Sequence, residues 1–249
     1  MSDSNAFSDT GMPRFIDLNA DLGEGFPNDL ELLHMVTSAS VSCGAHAGDF
    51  DTIIPILERG ERLGVVLGAH PSLPDREHFG RRERPISMSE AEDLVSDQVY
   101  ILDRVACEHS ARILFVKPHG ALYNQAQRDE DVACGVVEAC ARFELPILGQ
   151  PGSMVERLAR GMGVAFFAEG FPDRRYDAHG FLVPRDQPGA VITDPREIQA
   201  HTIDLLRSGR FASLCIHGDD PRAVENARLV RAILVEFGIV ARSFLDRIL

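Results

Sequence analysis

Short runs rich in β-branched residues alternate with longer amphipathic stretches along most of this chain of 249 residues. In such a pattern each strand is followed by a helix that crosses back over the sheet, so neighbouring strands pair in parallel. Chains of this length commonly form one α/β domain. The runs predict seven strands: Phe15–Asp21, Ala39–Gly44, Val65–Ala69, Ile113–Lys117, Pro146–Gly149, Val164–Ala168 and Ser213–His217.

Helix signals lie between several of these strands. Ser89 begins an S-x-x-E capping box ahead of an apolar stripe, which predicts the start of a long helix. Asp194 and Asp220, each followed by Pro, predict the N-caps of two further helices. The segment from Glu169 to Asp194 has no clear period and many turn-forming residues, and a connection of that length in a compact domain is usually functional.

The sequence shows no boundary between domains. No Gly/Ser-rich linker, shift of composition or internal repeat divides it. Residues 1–13 are mostly polar and have no hydrophobic period. We therefore expect a flexible N-terminal tail over residues 1–13 and a single α/β domain over residues 14–249.

The charge balance excludes several classes of partner. Asp and Glu number 38 against 25 Lys and Arg, for a net charge of −13. A chain this acidic repels phosphate backbones and anionic lipid, so we expect no nucleic-acid or membrane partner. No apolar run approaches the ~20 residues of a membrane span. The five Cys include no C-x-x-C pair, which predicts a reduced, cytoplasmic protein without a disulfide or a structural zinc site.

Polar side chains follow most of the predicted strands. In a parallel α/β barrel the carboxyl ends of the strands meet on one face, where substrates bind. Gly or Pro beside many of these side chains lets a ligand approach the backbone. We therefore predict one active site on this face. Its candidate residues are Asn19, Asp21, Glu24, His46, Asp49, His70, Lys117, His119, Tyr123, Asn124, Glu169, His217 and Asp219.

Carboxylates beside imidazoles suit two kinds of chemistry. They can ligate a divalent metal ion, or they can act as general acids and bases tuned toward neutral pH. His46 and Asp49 have only a loose metal-ligand spacing, and the sequence has neither an H-E-x-x-H nor a G-x-S-x-G motif. Both kinds of chemistry stay open at this point, with His46, His119 and His217 as the metal candidates.

Lys117 is the single Lys among the 25 basic residues, and it lies at the predicted site. A compact ammonium can neutralise a substrate carboxylate or stabilise an oxyanion, although chance would also leave one Lys in an Arg-rich chain. The sequence before Lys117 has no P-loop glycines, and no G-x-G-x-x-G motif occurs. If the reaction consumes ATP, we expect another chain to bind it.

Two pairs of adjacent Arg residues, at positions 81–82 and 174–175, can bind a carboxylate through their guanidinium groups. Ion pairing with the surplus surface acids is an equally good interpretation of both pairs. Cys43 and Cys215 lie in or beside predicted strands, where a buried and unreactive thiol is expected.

Several longer motifs together resemble one known family. In chain order they are D-L-N-A-D-L-G-E-G at Asp17–Gly25, C-G-A-H-A-G-D at Cys43–Asp49, G-A-H-P at Gly68–Pro71, F-G-R-R at Phe79–Arg82, V-K-P-H-G-A-L-Y-N at Val116–Asn124 and H-G-D at His217–Asp219. As a set they resemble the LamB/YcsF family, that of the A subunit of bacterial 5-oxoprolinase, from about Phe15 onward. Departures from common family residues occur at Ala45 and at Ser72-Leu73, and neither is a candidate catalytic group.

The resemblance implies a fold, an activity and partners. The implied fold is an irregular (β/α) barrel of about seven parallel strands, similar to the barrels of glycoside hydrolases and polysaccharide deacetylases. The implied activity is ATP-dependent opening of the lactam of 5-oxo-L-proline (pyroglutamate) by water to give L-glutamate. The implied partners are the B and C subunits of 5-oxoprolinase, which would handle the ATP, in agreement with the missing P-loop.

The resemblance also suggests roles for the candidates, as a hypothesis. Partner subunits activate the lactam carbonyl with ATP, and this chain adds water at that carbon. Asp21 or His119 is the expected base, and Lys117 the expected oxyanion stabiliser together with backbone N–H groups. Arg82 or Arg175 is the expected carboxylate clamp. The catalytic candidates are Asp21, Glu24, His46, Asp49, Lys117 and His119. The substrate-binding candidates are Asn19, His70, Arg82, Tyr123, Asn124, Glu169, Arg175, His217 and Asp219.

Two other interpretations stay open. The chain can be a stand-alone metal-dependent hydrolase of amide, N-acetyl or glycosidic bonds, since the implied fold also serves that chemistry. It can also be a non-catalytic subunit that only binds 5-oxoproline, although the density of ionisable groups argues against this interpretation. A requirement for ATP and partners separates the first hypothesis from the metal-dependent one. The sequence leaves self-association of the chain open.

Overall fold

The computed structural model of this chain describes residues 11–185 and 187–247. Over these residues, strands and helices alternate along most of the chain. The strands are β1 (Phe15–Leu22), β2 (Ser38–Ser42), β3 (Val66–His70), β4 (Ile113–Val116), β5 (Ile147–Gly149), β6 (Phe166–Gly170), β7 (Ser213–Ile216) and β8 (Val240–Ala241). The α-helices are α1 (Asp29–Leu33), α2 (Phe50–Leu63), α3 (Met88–Glu108), α4 (Gly120–Ala126), α5 (Glu130–Arg142), α6 (Met154–Met162), α7 (Pro195–Ser208) and α8 (Ala223–Glu236). Two 3₁₀ turns lie at Arg76–His78 and Phe244–Arg247.

The first seven strands close into a parallel barrel. β2 to β7 pair in chain order, and β1 completes the ring by pairing with both β2 and β7. The short β8 pairs with Phe15 and Ile16 at the amino end of β1, outside the ring. The predicted α/β barrel of about seven parallel strands is therefore confirmed. β8 was not predicted, because two residues are too few to show a hydrophobic period.

The barrel is irregular on one side. The pairing of β3 with β4 changes register between Leu67 and Ala69, and β4 pairs with β5 only at Val116 and Ile147. On the other side β1 pairs with β2 and with β7 over four residues each. The strands around β1 are therefore held in a well-defined register, and β1 carries Asp21 at its carboxyl end.

The predicted strands match the observed ones within a few residues. The largest difference at a strand start is at β6, which begins at Phe166 instead of Val164. Gly163 takes a left-handed conformation that ends α6, and the amide of Val164 donates to Ala159 O within the same cap. Glu169 consequently lies inside β6 instead of following it.

Two predicted helix N-caps were wrong by two residues each. α3 is capped by Ser87, whose side chain accepts from the amide of Glu90, because this earlier capping box already places Ser89 in the first helical turn. α8 begins at Ala223, because Asp220 accepts the amide of Arg222 in a turn that precedes the helix. The predicted N-cap at Asp194 is confirmed.

Most of the predicted N-terminal tail lies outside the described residues, which begin at Gly11. Met12 and Pro13 are buried, and Met12 belongs to the hydrophobic core. The long connection between β6 and α7 folds back on itself, since Arg174 pairs with Val191 and Tyr176 with Leu182 in isolated antiparallel bridges. This connection forms part of the wall of the cavity described below.

Polar side chains fill the barrel interior on the side of β1. Asp17 accepts hydrogen bonds from the hydroxyls of Thr37, Ser38 and Ser213. Asn19 lies two residues further along β1, on the same face as Asp17. Its side-chain amide donates to the Ser38 hydroxyl at 2.8 Å. Burial raises the pKa of Asp17 to about 6, although the three hydroxyls favour its carboxylate form. A chain of hydrogen bonds therefore runs along β1 toward the carboxyl end of the barrel.

Aromatic residues fill the opposite half of the interior and close its amino end. Phe244, in the C-terminal 3₁₀ turn, packs against Phe115 and Phe167 at ring-centroid distances of 5.2 and 4.8 Å. Gly68 leaves room for the Phe115 ring, which would lie 2.4 Å from a Cβ atom at that position. This aromatic plug fills the barrel interior at the end opposite the cavity described below.

Removal of the plug should lower the free energy of unfolding. We expect Phe244→Ala to cost about 3–5 kcal/mol, the usual cost of truncating a fully buried Phe, and thermal unfolding followed by circular dichroism measures it. Phe50→Ala is the control, because Phe50 is 58% exposed and a surface truncation changes stability by about 0.5 kcal/mol or less. Equal effects of the two substitutions would show that Phe244 does not close the core.

Candidate active site

A cavity of about 660 Å³ opens at the carboxyl ends of the barrel strands. His70 ends β3, Lys117 follows β4 and His217 follows β7, so the barrel brings together side chains that are distant in sequence. The predicted site residues that line the cavity are Asp21, His70, Lys117, His119, Tyr123, Asn124 and His217.

The ammonium group of Lys117 lies at the base of the cavity. Lys117 as a whole is buried, with 2% of its surface exposed. Its Nζ donates to Asp21 Oδ1 at 2.8 Å and to Asn19 Oδ1 at 3.3 Å. Nζ also lies 3.0 Å from the sulfur of Cys215 and 3.1 Å from Glu169 Oε2. Residues of β1, β6 and β7 therefore surround a cation that follows β4.

The charges around Lys117 set its protonation. Burial opposes the charged form, but Asp21, Cys215 and Glu169 together raise the pKa of Lys117 well above its usual range. In turn, despite its burial, His70 and Lys117 lower the pKa of Asp21. Lys117 is therefore a fixed positive charge and Asp21 an ionised carboxylate at neutral pH.

Glu169 differs from Asp21 in its hydrogen bonding. Its Oε2 lies 3.1 Å from Lys117 Nζ as an ion pair, and the buried hydroxyl of Tyr123 is its other polar neighbour. Neither contact has hydrogen-bond geometry, so both carboxylate oxygens and the Tyr123 hydroxyl are without a well-formed hydrogen bond to a described residue. Burial, with a contribution from Asp21, raises the pKa of Glu169, and Lys117 opposes this shift. Buried polar atoms without partners are typically completed by water or ligand.

His70 and His119 direct two lone pairs at each other. His70 Nδ1 donates to the carbonyl oxygen of Lys117 at 2.7 Å, and His119 Nε2 donates to that of Phe79 at 2.9 Å. The remaining nitrogens, His70 Nε2 and His119 Nδ1, face each other at 3.0 Å. In neutral rings these two atoms are both acceptors, so the pair is suited to hold a metal ion or a proton between the two nitrogens.

Glu24 supplies the negative charge next to this pair. Its Oε1 lies 3.7 Å from His119 Nδ1 and accepts a hydrogen bond from His46 Nε2 at 2.9 Å. His46 also stacks on His119 with ring centroids 3.8 Å apart. Burial, together with Asp21 and Asp219, raises the pKa of Glu24 well above its usual range.

Glu24, His70 and His119 have the features of a metal site. One ligand atom from each lies within 4.8 Å of the other two, and all three residues are buried. Both imidazoles donate their second N–H to a backbone carbonyl, which is the usual outer support of metal-binding histidines. Because the converging atoms are all acceptors, this triad can hold a divalent cation. His119 is thus the one predicted metal candidate that belongs to the triad.

The other two predicted metal candidates lie beside or away from the triad. His46 supports Glu24 from below the cavity. His217 instead places its Nδ1 2.9 Å from Asp173 Oδ2 and stacks on the ring of Phe171. Despite burial, His217 lowers the pKa of Asp173.

The sequence profile of the LamB/YcsF family matches residues 16–248. The chain belongs to the LamB/YcsF family. Proteins named as the A subunit of 5-oxoprolinase, from Methylococcus capsulatus and Streptomyces avermitilis, are 41% and 42% identical to it. The matches cover 92% of this chain and 95% and 99% of the relatives. The family predicted from the motifs is confirmed.

Solved structures agree with this membership. The lactam utilization protein from Thermus thermophilus is 35% identical, with a TM-score of 0.84 over 92% of this chain and 99% of that chain. The catalytic domain of peptidoglycan N-acetylglucosamine deacetylase from Eubacterium rectale has a TM-score of 0.55 at 10% identity, over 92% of this chain and 88% of that chain. The second likeness concerns the fold alone, and it confirms the predicted similarity to deacetylase barrels.

Several predicted residues of this LamB/YcsF chain lie outside the cavity. Asp49 is exposed and caps α2, where its side chain accepts the amide of Thr52. Arg82 pairs with Asp75, and its side chain is 64% exposed. Arg175 pairs with Glu197 on the surface. The residues that lie beneath or beside the cavity wall without lining it are Asn19, Glu24, His46, Glu169 and Asp219.

The cavity wall contains arginines that the sequence hypothesis did not select. Arg81, Arg128, Arg174 and Arg185 all line the cavity. The hypothesis instead chose Arg82 and Arg175, the chain neighbours of Arg81 and Arg174. In an irregular connection the sequence carries no period that shows which of two adjacent side chains points inward. The signal that was available is the length of the connection after β6, which bears Arg174 and Arg185.

None of the helices in the described part of the chain is both long and apolar enough to cross a membrane.

The neutral state of the two facing imidazoles has a consequence for titration. Burial lowers the pKa of His70 to about 4, and burial with His46 and His70 lowers that of His119 well below its usual range. We expect the ring NMR shifts of both residues to stay constant between about pH 6 and 8, where an unperturbed imidazole titrates. Long-range ¹H–¹⁵N spectra should show the Nδ1–H tautomer for His70 and the Nε2–H tautomer for His119.

The same shift links His70 to stability. The folded-state pKa of His70 lies below the unfolded value of about 6.5. The contribution of neutral His70 to the free energy of unfolding is therefore fully present above about pH 6.5, and it is lost as the pH falls through about 4. Titration of His70 near pH 6.5 would contradict the neutral assignment. The His70→Asn variant identifies its signals.

Proposed function

We propose that this chain acts as the A subunit of an ATP-dependent 5-oxoprolinase. It opens the lactam ring of 5-oxo-L-proline with water to give L-glutamate, while the B and C subunits bind and use the ATP. The observation that carries the proposal is the buried ammonium of Lys117 beside Asp21 at the base of the cavity, in a LamB/YcsF chain over 40% identical to proteins named as this component of 5-oxoprolinase. The five Cys are free thiols, which suits a cytoplasmic location.

Lys117 stabilises the negative charge that develops on the former lactam oxygen. Water adds to the ring carbonyl carbon and gives a proton to Asp21. The C–N bond then breaks, and the ring nitrogen takes up that proton and becomes the amino group of glutamate. A fixed, desolvated positive charge favours this developing oxyanion over the neutral ground state. Asn19 and Asp21 position the ammonium, since both accept its hydrogen bonds.

Asp21 accepts the proton from the attacking water. Its Oδ1 is engaged by Lys117, whereas the polar neighbours of its Oδ2 among the described residues are His70 Nε2 at 3.5 Å and the Cys215 sulfur at 4.0 Å. His119, the other candidate base, is less suited, because its Nδ1 points at His70 and Glu24 and its Nε2 is bonded to Phe79 O. The low pKa of Asp21 keeps it ionised over the neutral range.

We further propose that Glu24, His70 and His119 hold a divalent metal ion. Such an ion supplies a second positive charge, which can polarise a carbonyl oxygen or acidify water. His46 orients Glu24 in this site through the hydrogen bond at 2.9 Å.

Loss of the Lys117 charge should abolish most of the activity. We expect Lys117→Met to reduce kcat for glutamate release at least about 100-fold, the usual cost of removing an oxyanion-stabilising group. The assay uses 5-oxoproline, ATP and the purified partner subunits. Arg160→Met is the control, because Arg160 pairs with Glu156 on the exposed face of α6, and thermal melting verifies that both variants fold. Full activity of Lys117→Met would refute catalysis here and favour a subunit that only binds 5-oxoproline.

The metal-dependent alternative is favoured by one observation, the acceptor triad beside the cavity. Glutamate release that requires both ATP and partners would support the 5-oxoprolinase function. Turnover by the chain alone with metal and without ATP, on an amide or an acetylated sugar, would support the stand-alone hydrolase instead.

Metal binding itself can be measured without turnover. We expect calorimetric titration with Zn²⁺ to show one site per chain, and Glu24→Gln to weaken it about 10- to 100-fold or more, the usual range for loss of a supporting metal contact. Glu58→Gln is a matched control, since Glu58 accepts from His109 at 2.9 Å in a similar carboxylate–imidazole pair on the outside. Equal weakening by both substitutions would show that the triad is not the site.

A further inference from the structure

Arg174 is a buried cation in the cavity wall. It is 7% exposed, and its Nη2 donates to the carbonyl oxygen of Val183 at 2.7 Å. Its Nε is buried and has no hydrogen-bond partner. Arg174 forms no ion pair with any residue that the structure describes. A guanidinium is always protonated in proteins, so a buried charge is present here without an anionic partner.

The nearby carboxylates are engaged by other groups. Asp173 pairs with His217 at 2.9 Å. Asp219 accepts from both Arg81 and Arg185, at 2.5 and 3.1 Å. Burial, Arg185 and Arg81 lower the pKa of Arg174, which reflects the positive surroundings. Four guanidinium groups line the cavity, and among them Arg174 is the one without an ion pair to a residue that the structure describes. This cationic wall occurs in a chain whose net charge is −13.

An unpaired buried charge is costly unless a partner arrives from outside. The hydrogen bond to Val183 satisfies one N–H and braces the connection after β6, but a backbone carbonyl does not neutralise a charge. A ligand anion that enters the cavity would supply the missing negative charge.

We infer that Arg174, with Arg185 beside it, binds the carboxylate of the substrate and thereby selects lactams that carry a carboxylate over neutral lactams. This inference rests on the proposed function and deepens it. It assigns the carboxylate clamp to the wall of the cavity, in place of the surface residues Arg82 and Arg175.

Phe171 connects this subsite to the reacting groups. Its ring centroid lies 5.5 Å from Lys117 Nζ, and its carbonyl oxygen accepts the amide of Arg174 at 3.3 Å. The ring also stacks on His217, with centroids 5.3 Å apart. The residue three positions before Arg174 in the chain therefore packs directly beside Lys117, and both Arg174 and Lys117 line the same cavity. A small lactam whose carboxylate meets Arg174 can then direct its carbonyl at Lys117.

The test compares two ligands that differ only in the carboxylate. Wild-type chain, Arg174→Met and the surface control Arg160→Met are titrated by calorimetry with 5-oxo-L-proline and with 2-pyrrolidinone. We expect Arg174→Met to weaken binding of 5-oxo-L-proline about 10- to 100-fold, the effect of losing a charged hydrogen bond. Binding of 2-pyrrolidinone should not change, and Arg160→Met should match the wild type.

Three results would overturn the inference. The first is wild-type affinity of Arg174→Met for 5-oxo-L-proline. The second is equal weakening for both lactams, since this indicates a collapsed cavity. The third is loss of inorganic phosphate binding in Arg174→Met with 5-oxo-L-proline unaffected, since the subsite would then serve a phosphate group.

Kinetics in the complex with the partner subunits separate this inference from the proposed function. We expect Arg174→Met to raise KM for 5-oxo-L-proline about as much as it weakens binding, with a smaller change in kcat. If Arg174→Met released glutamate with an unchanged KM, the result would support the proposed reaction and refute the carboxylate subsite. If binding depended on the carboxylate and on Arg174 but no condition gave glutamate release, the result would support the subsite and refute the proposed reaction.

Discussion

The burial of one ammonium group inside a closed barrel is the constraint on which the rest of this structure depends. Lys117 is shielded from water, and leaving such a charge unpaired costs about 3–5 kcal/mol. Its compensation comes from Asp21 on β1 and Glu169 on β6, which approach it from different sides of the ring. Closure of the barrel and pairing of this charge are therefore coupled: the ring brings the carboxylates to the cation, and the cation allows two carboxylates to be buried near each other.

This central pairing organises the chemistry above it. Burial and the nearby positive charge of Lys117 lower the pKa of His70, and burial lowers that of His119. The two imidazoles therefore stay neutral and present lone pairs beside Glu24. The aromatic plug at the other end, with Phe115 and Phe244, leaves the carboxyl end as the open face of the barrel. Fixed positive charge, neutral acceptors and a cationic wall then share one cavity, an arrangement that suits anionic amide substrates better than neutral ones.

Much of the fold and part of the site could be predicted from the sequence. Strand–helix alternation leads to parallel pairing even where strand bounds are inexact, so the barrel was predictable. The start of β6 was not, because it depended on how Gly163 ends the preceding helix. Residues directly after strands, such as His70 and Lys117, were predictable as neighbours because all parallel strands end on one face. Asp49 was misleading, since the same residue type that ligates or catalyses also caps helices.

The sequence by itself determined the family, the alternating architecture and the set of ionisable residues at the strand ends, because these follow from local periodicity and from motifs contiguous in the chain. Only the tertiary structure decided which of those residues share an environment. It placed Asn19 beneath Lys117 as a positioning group, joined Glu24 to His70 and His119, and turned Arg174 instead of Arg175 into the cavity. The physical reason is that pairing of charges and direction of lone pairs depend on distances of a few ångströms between distant segments, which periodicity along the chain does not encode.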